Sequence, residues 1–391
     1  MDIKQQHNEM VGRMLDHVEN GTTDQAEDTL TVPSAAYTDA DIWQQEMDLI
    51  FKRLPLTVGL TNEIPEPGDF KTLTMFDKPL LITRQRDGSV RAMLNVCSHR
   101  GMMLTEEKSG NKGVFTCPYH GWSFAGDGSL RGVADAHKFG EVDKSCLGLT
   151  QLPTYERGGL IFTVLTPGLE VDFEAFLGGM IEDIEDLGFE DWYYCGQREI
   201  YGANWKVAYD GYLEGYHFAA AHPETIHPRT YSNIMDFRFH GPHTMIGFPQ
   251  KTIAKLREVP PEDWWKYEND GYDFIRTIFP NVSIFVAPEL TQIAQLIPGP
   301  TPGENRTILY YLDRKTPADD NARAELEKFM DWLKTVVQEE DYDVGLAVQK
   351  GLESGAHQNV VFGRNEHGNQ YFHQWVNYYL AEDPEAPPPK P

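Results

Sequence analysis

Two short stretches that each pair one cysteine with one histidine limit this chain more than any other feature. They read Cys97-Ser98-His99-Arg100-Gly101 and Cys117-Pro118-Tyr119-His120-Gly121-Trp122, with 17 residues between His99 and Cys117. Each pair is tight enough for one turn to present both side chains to one metal centre. A glycine closes each pair, which suits close backbone approach and unusual dihedrals. A zinc ion takes four such ligands tetrahedrally. A [2Fe–2S] cluster with mixed ligands takes two cysteines on one iron and two histidines on the other. The ligand count fits both. The order, one Cys and one His per loop, favours the cluster, because each loop then supplies one ligand to each iron.

With their flanking residues, the two loops resemble the paired loops of Rieske proteins. The 391-residue chain has room for about two domains with sizeable cores, so a metal module is only part of it. A net charge of −26 argues against nucleic acid or an anionic membrane as partner. Beyond Cys97 and Cys117 the chain has Cys146 and Cys195, read as free, buried thiols in a reducing compartment. The first residues lack the apolar run of a signal peptide and no 18-residue apolar stretch occurs, so the expected location is the cytoplasm.

Met10, Val11, Met14, Leu15 and Val18 space a helix over 4–19. Residues 20–36 read as irregular. A second helix, capped by Asp39 or Asp41, runs through Phe51. Residues 55–166 then read as short strands: Phe70–Phe76, a hairpin of Leu80–Arg84 and Val90–Leu94 turned by Asp87-Gly88, Val114–Thr116, Trp122–Phe124 and Gly159–Leu165. The cluster loops hang on this small sheet. A helix over 173–187 and a strand Tyr193–Tyr201 follow.

The second informative run, residues 204–223, contains Glu214, His217 and His222. Helical periodicity puts Glu214 and His217 on one face. His222 is five residues past His217, off that face, but Pro223 follows it. The residue before proline avoids the α region, so the helix ends there and His222 swings back. Two imidazoles and one carboxylate form the facial triad of mononuclear non-haem Fe(II) enzymes, with positions left for O2.

Both motifs together, over roughly residues 40–355, resemble the α subunit of Rieske non-haem iron oxygenases, the ring-hydroxylating and demethylating family. The resemblance implies an α+β chain: an N-terminal all-β Rieske [2Fe–2S] domain, then a helix-grip catalytic domain with an antiparallel sheet. The expected divisions are a helical segment over 1–40, the Rieske domain over 41–167, the catalytic domain over 168–381 and a disordered tail over 382–391. Carried over residue by residue, Cys97, His99, Cys117 and His120 match the cluster ligands, and His217 and His222 match the iron ligands. Glu214 matches the acid that bridges electron transfer between subunits. The chain departs from the family at Gly211, where an Asn is common. Pro317–Leu352 reads as one long helix. In it Asp341, with Gln349 beyond, fits the family's third iron ligand, with Glu340 and Asp343 as alternatives. His227, His240 and His243 read as structural or exposed, strands are expected at Val282–Val286, Thr291–Leu296 and Thr307–Leu312, and Glu366–Leu380 returns to the core.

The resemblance further implies O2-dependent hydroxylation of an aromatic or other apolar small molecule at Fe(II). Electrons come from a reductase, with or without a ferredoxin, so NAD(P)H acts only indirectly. The implied assembly is a homotrimer or α3β3 ring, in which one subunit's His120 feeds Glu214 and His217 of its neighbour. The alternatives are an N- or O-demethylating monooxygenase for a methylated amine, quaternary ammonium or methoxy compound, and a pure electron carrier. A carrier requires His217, His222 or Asp341 to be misplaced.

Overall fold

In the computed structural model, which describes residues 2–288, 290–383 and 385–390, the chain divides into two units. One comprises Phe51–Phe173 with Gly188–Asp191, and the other Met1–Ile50, Glu174–Leu187 and Trp192–Pro391. The first 50 residues thus belong with the C-terminal unit and are not a segment of their own. The expected tail, 382–391, lies partly outside the described residues.

The first unit is built of short antiparallel strands. Five pair in the order Gln151–Leu152, Val90–Leu94, Lys78–Arg84, Asp69–Met75 and Ser109–Asn111. Its central hairpin closes as the sequence suggests. The Asp87 carboxylate accepts from the backbone N–H (3.0 Å) and hydroxyl (2.7 Å) of Ser89, and Gly88 takes φ 85°. Thr154–Arg157, Leu160–Thr163 and Leu56–Leu60 form a second sheet. A third, Val114–Thr116, Ser123–Ala125 and Leu130–Gly132, carries the second metal loop between its first two strands. Cys97 and Cys117 lie in one apolar cluster with Phe70, Leu81, Trp122 and Phe124. Of the other cysteines, Cys195 is half-buried and its thiol is pushed up to about 12 by burial. Cys146 is exposed, contrary to the sequence reading, because it ends a single 3-10 turn on the surface.

The second unit is organised on a seven-stranded antiparallel sheet. Its order is Tyr193–Gly202, Asn305–Asp313, Thr291–Pro298, Val282–Phe285, Tyr272–Ile278, His243–Pro249 and Asp236–His240. The helix Ile3–Asn20 packs Met10, Val11 and Met14 against the last two strands. At Gly247 a Cβ would sit 2.7 Å from the Met14 sulfur, so the close approach requires glycine. The C-terminal helix His367–Ala381 stacks Phe372 on Tyr209 and sets Tyr379 against Phe279. His243 is structural: it is buried, its Nε2 faces the Phe176 carbonyl at 2.8 Å, its Nδ1 accepts from Phe279 N–H, and burial lowers it to about 4.

Three expected elements differ. Leu30–Pro33, read as irregular, is a strand paired with Asn359–Phe362; its partner lies over 300 residues away, beyond any local pattern. The helix capped by Asp39 runs Ala40–Glu46 and gives way to a π turn, Met47–Phe51. The long C-terminal helix is Asp320–Val336, a π-helical stretch Val337–Tyr342, and Asp343–Glu353.

A buried ion pair anchors the helix that leads into the second motif. Lys206 Nζ bonds the Glu46 carboxylate, which also accepts from Trp205 Nε1 at 2.7 Å, and both charged side chains are 1% exposed. Burial lowers the Lys206 pKa against the pull of Glu46. Glu46→Ala would leave the ammonium buried and unpaired, so we expect a loss of about 3–5 kcal/mol in chemical denaturation. A loss within 1 kcal/mol of zero would show that water reaches the site.

Candidate metal centres

The two cysteine–histidine loops close by the same pair of backbone bonds. Cys97 N–H donates to Met102 O (2.8 Å) and Gly101 N–H donates back to Cys97 O (2.9 Å). Cys117 N–H donates to Trp122 O (2.7 Å) and Gly121 N–H to Cys117 O (3.0 Å). Gly101 and Gly121 take φ 76° and 70°, which explains the glycine after each pair. The His99 ring stacks on Trp122 at 4.7 Å and meets the His120 ring at 4.7 Å. His99 Nδ1 is buried with no hydrogen-bond partner, so it is free to ligate. Burial and the adjacent Cys117 raise the Cys97 thiol. Among the described residues, these four do not gather their ligand atoms as a single ion requires. That suits a cluster whose cysteines and histidines serve different irons, and it does not suit one tetrahedral zinc.

The second motif is not one helix. The helix Trp205–Gly211 is capped by Asn204, whose Oδ1 accepts from Lys206 N–H at 2.8 Å. It stops at Gly211, and only the short turn Phe218–Ala221 resumes it. Glu214 lies in the break, where its carboxylate accepts the N–H of Tyr216 and of His217 (3.1 Å) and bonds His217 Nδ1. The expected shared helix face is therefore corrected: Glu214 and His217 meet across a capped turn. His222 ends the resumed helix at φ −120°, as the following proline requires.

Asp341 sits in the π-helical stretch, a form that places one extra residue in a turn. Its Oδ1 lies 2.9 Å from His222 Nε2 and 3.6 Å from His217 Nε2. His217, His222 and Asp341 each bring a ligand atom within 4.8 Å of the others, the one such group among the described residues. Glu340 stands behind His222, with Oε2 2.6 Å from Nδ1, and accepts from Thr225 Oγ1. Asp343 accepts from Gln338 Nε2 at 2.8 Å instead of turning to the histidines. Gln349 Oε1 accepts from Asn204 N–H, tying Asp343–Glu353 to the Trp205–Gly211 helix.

Each histidine thus offers Nε2 inward while a carboxylate holds its Nδ1, which sets the tautomer a metal ligand needs. Burial opposes charge on His217, yet Asp341 and Glu214 outweigh it and carry the imidazole up to about 10. Asp341 is lowered although burial acts the other way, because the two histidines hold its charge. A cavity of about 700 Å³ opens on these side chains, lined mostly by apolar and aromatic groups.

The sequence pattern described as "Ring hydroxylating alpha subunit (catalytic domain)" matches residues 189–382, and that of the "Rieske [2Fe-2S] domain" matches 55–156. The chain belongs to the Rieske oxygenase α subunits. Its relatives include the chloroplastic choline monooxygenase of Beta vulgaris, 28% identical over 90% of this chain and 78% of that one. The carnitine monooxygenase oxygenase subunit of Escherichia coli (strain K12) is 26% identical over 88% and 92%. A solved quaternary ammonium Rieske monooxygenase shares the fold at TM-score 0.79 and 24% identity, over 90% of this chain and 96% of that one.

This Rieske oxygenase is an oxidoreductase that uses O2, with a [2Fe–2S] cluster and a mononuclear iron as cofactors. Family α subunits draw electrons from protein partners. Among the described residues no helix is long and apolar enough to cross a membrane. Sequence reasoning missed the place of Glu340 behind His222. Periodicity carried no signal for it, because Glu340 and Asp341 reach one centre only where the helix widens at Val337–Tyr342.

Proposed function

We propose that this Rieske oxygenase is a monooxygenase acting on a small N-methylated ammonium compound. Cys97, His99, Cys117 and His120 hold the cluster, and His217, His222 and Asp341 hold the iron. The observation that carries the substrate reading is the cavity wall. Phe218, Phe248, Phe285, Phe329 and Trp332 line it, while the lining carboxylates are engaged by protein groups. A quaternary cation there is held by ring faces, each worth about 0.5–2 kcal/mol, and not by a free acid. The choline and carnitine monooxygenases among the relatives support the same reading over nearly the whole chain. This favours the alternative drawn from the sequence over the aromatic-substrate reading.

When bound, the iron supplies reductive activation of O2 and the cluster supplies electrons singly. Glu214 orients His217 and lies on the electron route from a neighbouring subunit's cluster. Glu340 and Thr225 fix His222. The apolar wall excludes water and holds a methyl or methylene group towards the triad. In balance, R–H, O2, two electrons and two protons give R–OH and water. The partners are a reductase, alone or with a ferredoxin, and further copies of the chain in a trimeric ring, α3 or α3β3; such a ring is what a closing head-to-tail interface gives. We place the protein in the cytoplasm. Turnover of quaternary ammonium compounds under 18O2 tests the reading: one labelled atom in the product supports it. Two labelled atoms in a ring diol from an aromatic compound, with no turnover of ammonium compounds, would replace it with dioxygenation.

A further inference from the structure

The cavity has one wall from the sheet, and strand register gives its layout. Ile246, Ile275, Phe285 and Gln292 stand side by side across four strands. Asp273 is two residues before Ile275, on the same face, and pairs with Phe248. Phe248, Asp273, Ile275, Phe285 and Gln292 all line the cavity. Asp273, Ser283 and Gln292 are the polar residues among the sheet positions that line it, and the rest of that wall is apolar.

Arg229 meets this wall at Asp273. It is the one lysine or arginine among the described residues lining the cavity. Its Nη2 donates to Asp273 Oδ2 at 3.1 Å, while Asp273 Oδ1 accepts from Gln250 Nε2 at 3.0 Å. A guanidinium has five N–H donors, and this is its one recorded side-chain contact. The side chain remains 48% exposed. Two strands away from Asp273, beside Phe285, the buried Gln292 Oε1 has no hydrogen-bond partner, in a residue that is 9% exposed.

The remaining lining acids are spoken for. Asp210 accepts from Tyr37 and faces His373, Glu214 holds His217, Glu340 holds His222, and Asp341 lies between the two histidines. What the cavity leaves unused is thus a cation's donors and, at Gln292 Oε1, one acceptor. In a chain of net charge −26, a local cation offsets the field that repels an anionic ligand.

We infer that the substrate carries a carboxylate and that Arg229 binds it. The inference rests on the N-methylated ammonium reading above and narrows it to zwitterionic, betaine-type acids over cationic alcohols. Arg229 is then the specificity-determining residue. It fixes the acid end so that the methylated end faces the triad.

Four probes separate the two charges. They are 4-(trimethylammonio)butanoate, its methyl ester, the uncharged-head isostere 5,5-dimethylhexanoate, and the methyl ester of that acid. Binding is measured by calorimetry on the anaerobic, iron-loaded, cluster-containing enzyme. The ammonium acid is expected to bind about 10- to 100-fold more tightly than its ester. Arg229→Ala should drop it to the ester's level without moving the ester, and Arg229→Lys should keep part of the preference. Unchanged cluster absorption and far-UV circular dichroism show that the variants fold, since Asp273 keeps Gln250. Equal binding of acid and ester by the unmodified enzyme, or an acid preference that survives Arg229→Ala, overturns the carboxylate site and leaves the ammonium reading standing. Equal binding of the two acids, with the preference lost in Arg229→Ala, upholds the carboxylate site and sinks the ammonium reading. No binding of any probe overturns both.

Discussion

His217→Ala is expected to abolish oxygenation while leaving the [2Fe–2S] absorption and its reduced-state EPR signal intact. The two sets of ligands belong to separate units of the chain, so loss of one imidazole at the triad does not reach Cys97, His99, Cys117 or His120. Iron content should fall from about three to about two irons per two sulfides, as the mononuclear site loses one of its three protein ligands. Turnover should drop at least about a thousandfold, because the iron's share of the barrier is several kcal/mol. Normal turnover with two irons would overturn the assignment of His217. The same iron count in the unmodified protein, after Fe(II) is supplied, would favour the electron-carrier alternative.

The second large effect is expected at Glu214, and two substitutions divide its roles. Its carboxylate caps the turn through Tyr216 and His217 N–H and also bonds His217 Nδ1. Glu214→Ala removes cap and orientation together, so iron affinity should fall about 10- to 100-fold, as for other partners of metal-bound histidines. Glu214→Gln keeps an acceptor for the cap but loses the charge. With iron retained, it should oxidise the reduced cluster more slowly, by about two orders of magnitude in anaerobic single turnover started with substrate and O2. A Gln variant with full iron and a normal cluster oxidation rate would remove Glu214 from the electron route and leave it as a capping residue.

The cluster half of the molecule was legible because its determinants are local. Each loop is one turn, closed by its own glycine, and twin loops in sequence become twin loops in space. His222 was legible for a related reason, since Pro223 forbids the helix to continue whatever packs around it. Asp341 came from the family pattern, not from periodicity. The helical pattern of residues 317–352 gave no sign of the π-helical stretch. The pattern of 204–217 likewise hid the break after Gly211, because Tyr212 and Leu213 keep an apolar rhythm although the chain has left the helix. The backbone that presents these candidates therefore differed from the reading, while the side chains of His217, His222 and Asp341 lie together as a ligand group would.

The sequence by itself determined which metals the chain can serve and which side chains are candidates to hold them, because ligand chemistry and the conformational limits of glycine and proline act over a few residues. Tertiary structure alone decided how those side chains meet. The break at Gly211 puts Glu214 on His217, and the widened turn at Val337–Tyr342 sends Glu340 and Asp341 to one centre. The register of a seven-stranded sheet sets Asp273 beside Phe248 on the cavity wall, where Arg229 meets it. Apart from Glu214 and His217, three residues apart, these join residues distant in the chain, and such pairing depends on packing that no local pattern encodes.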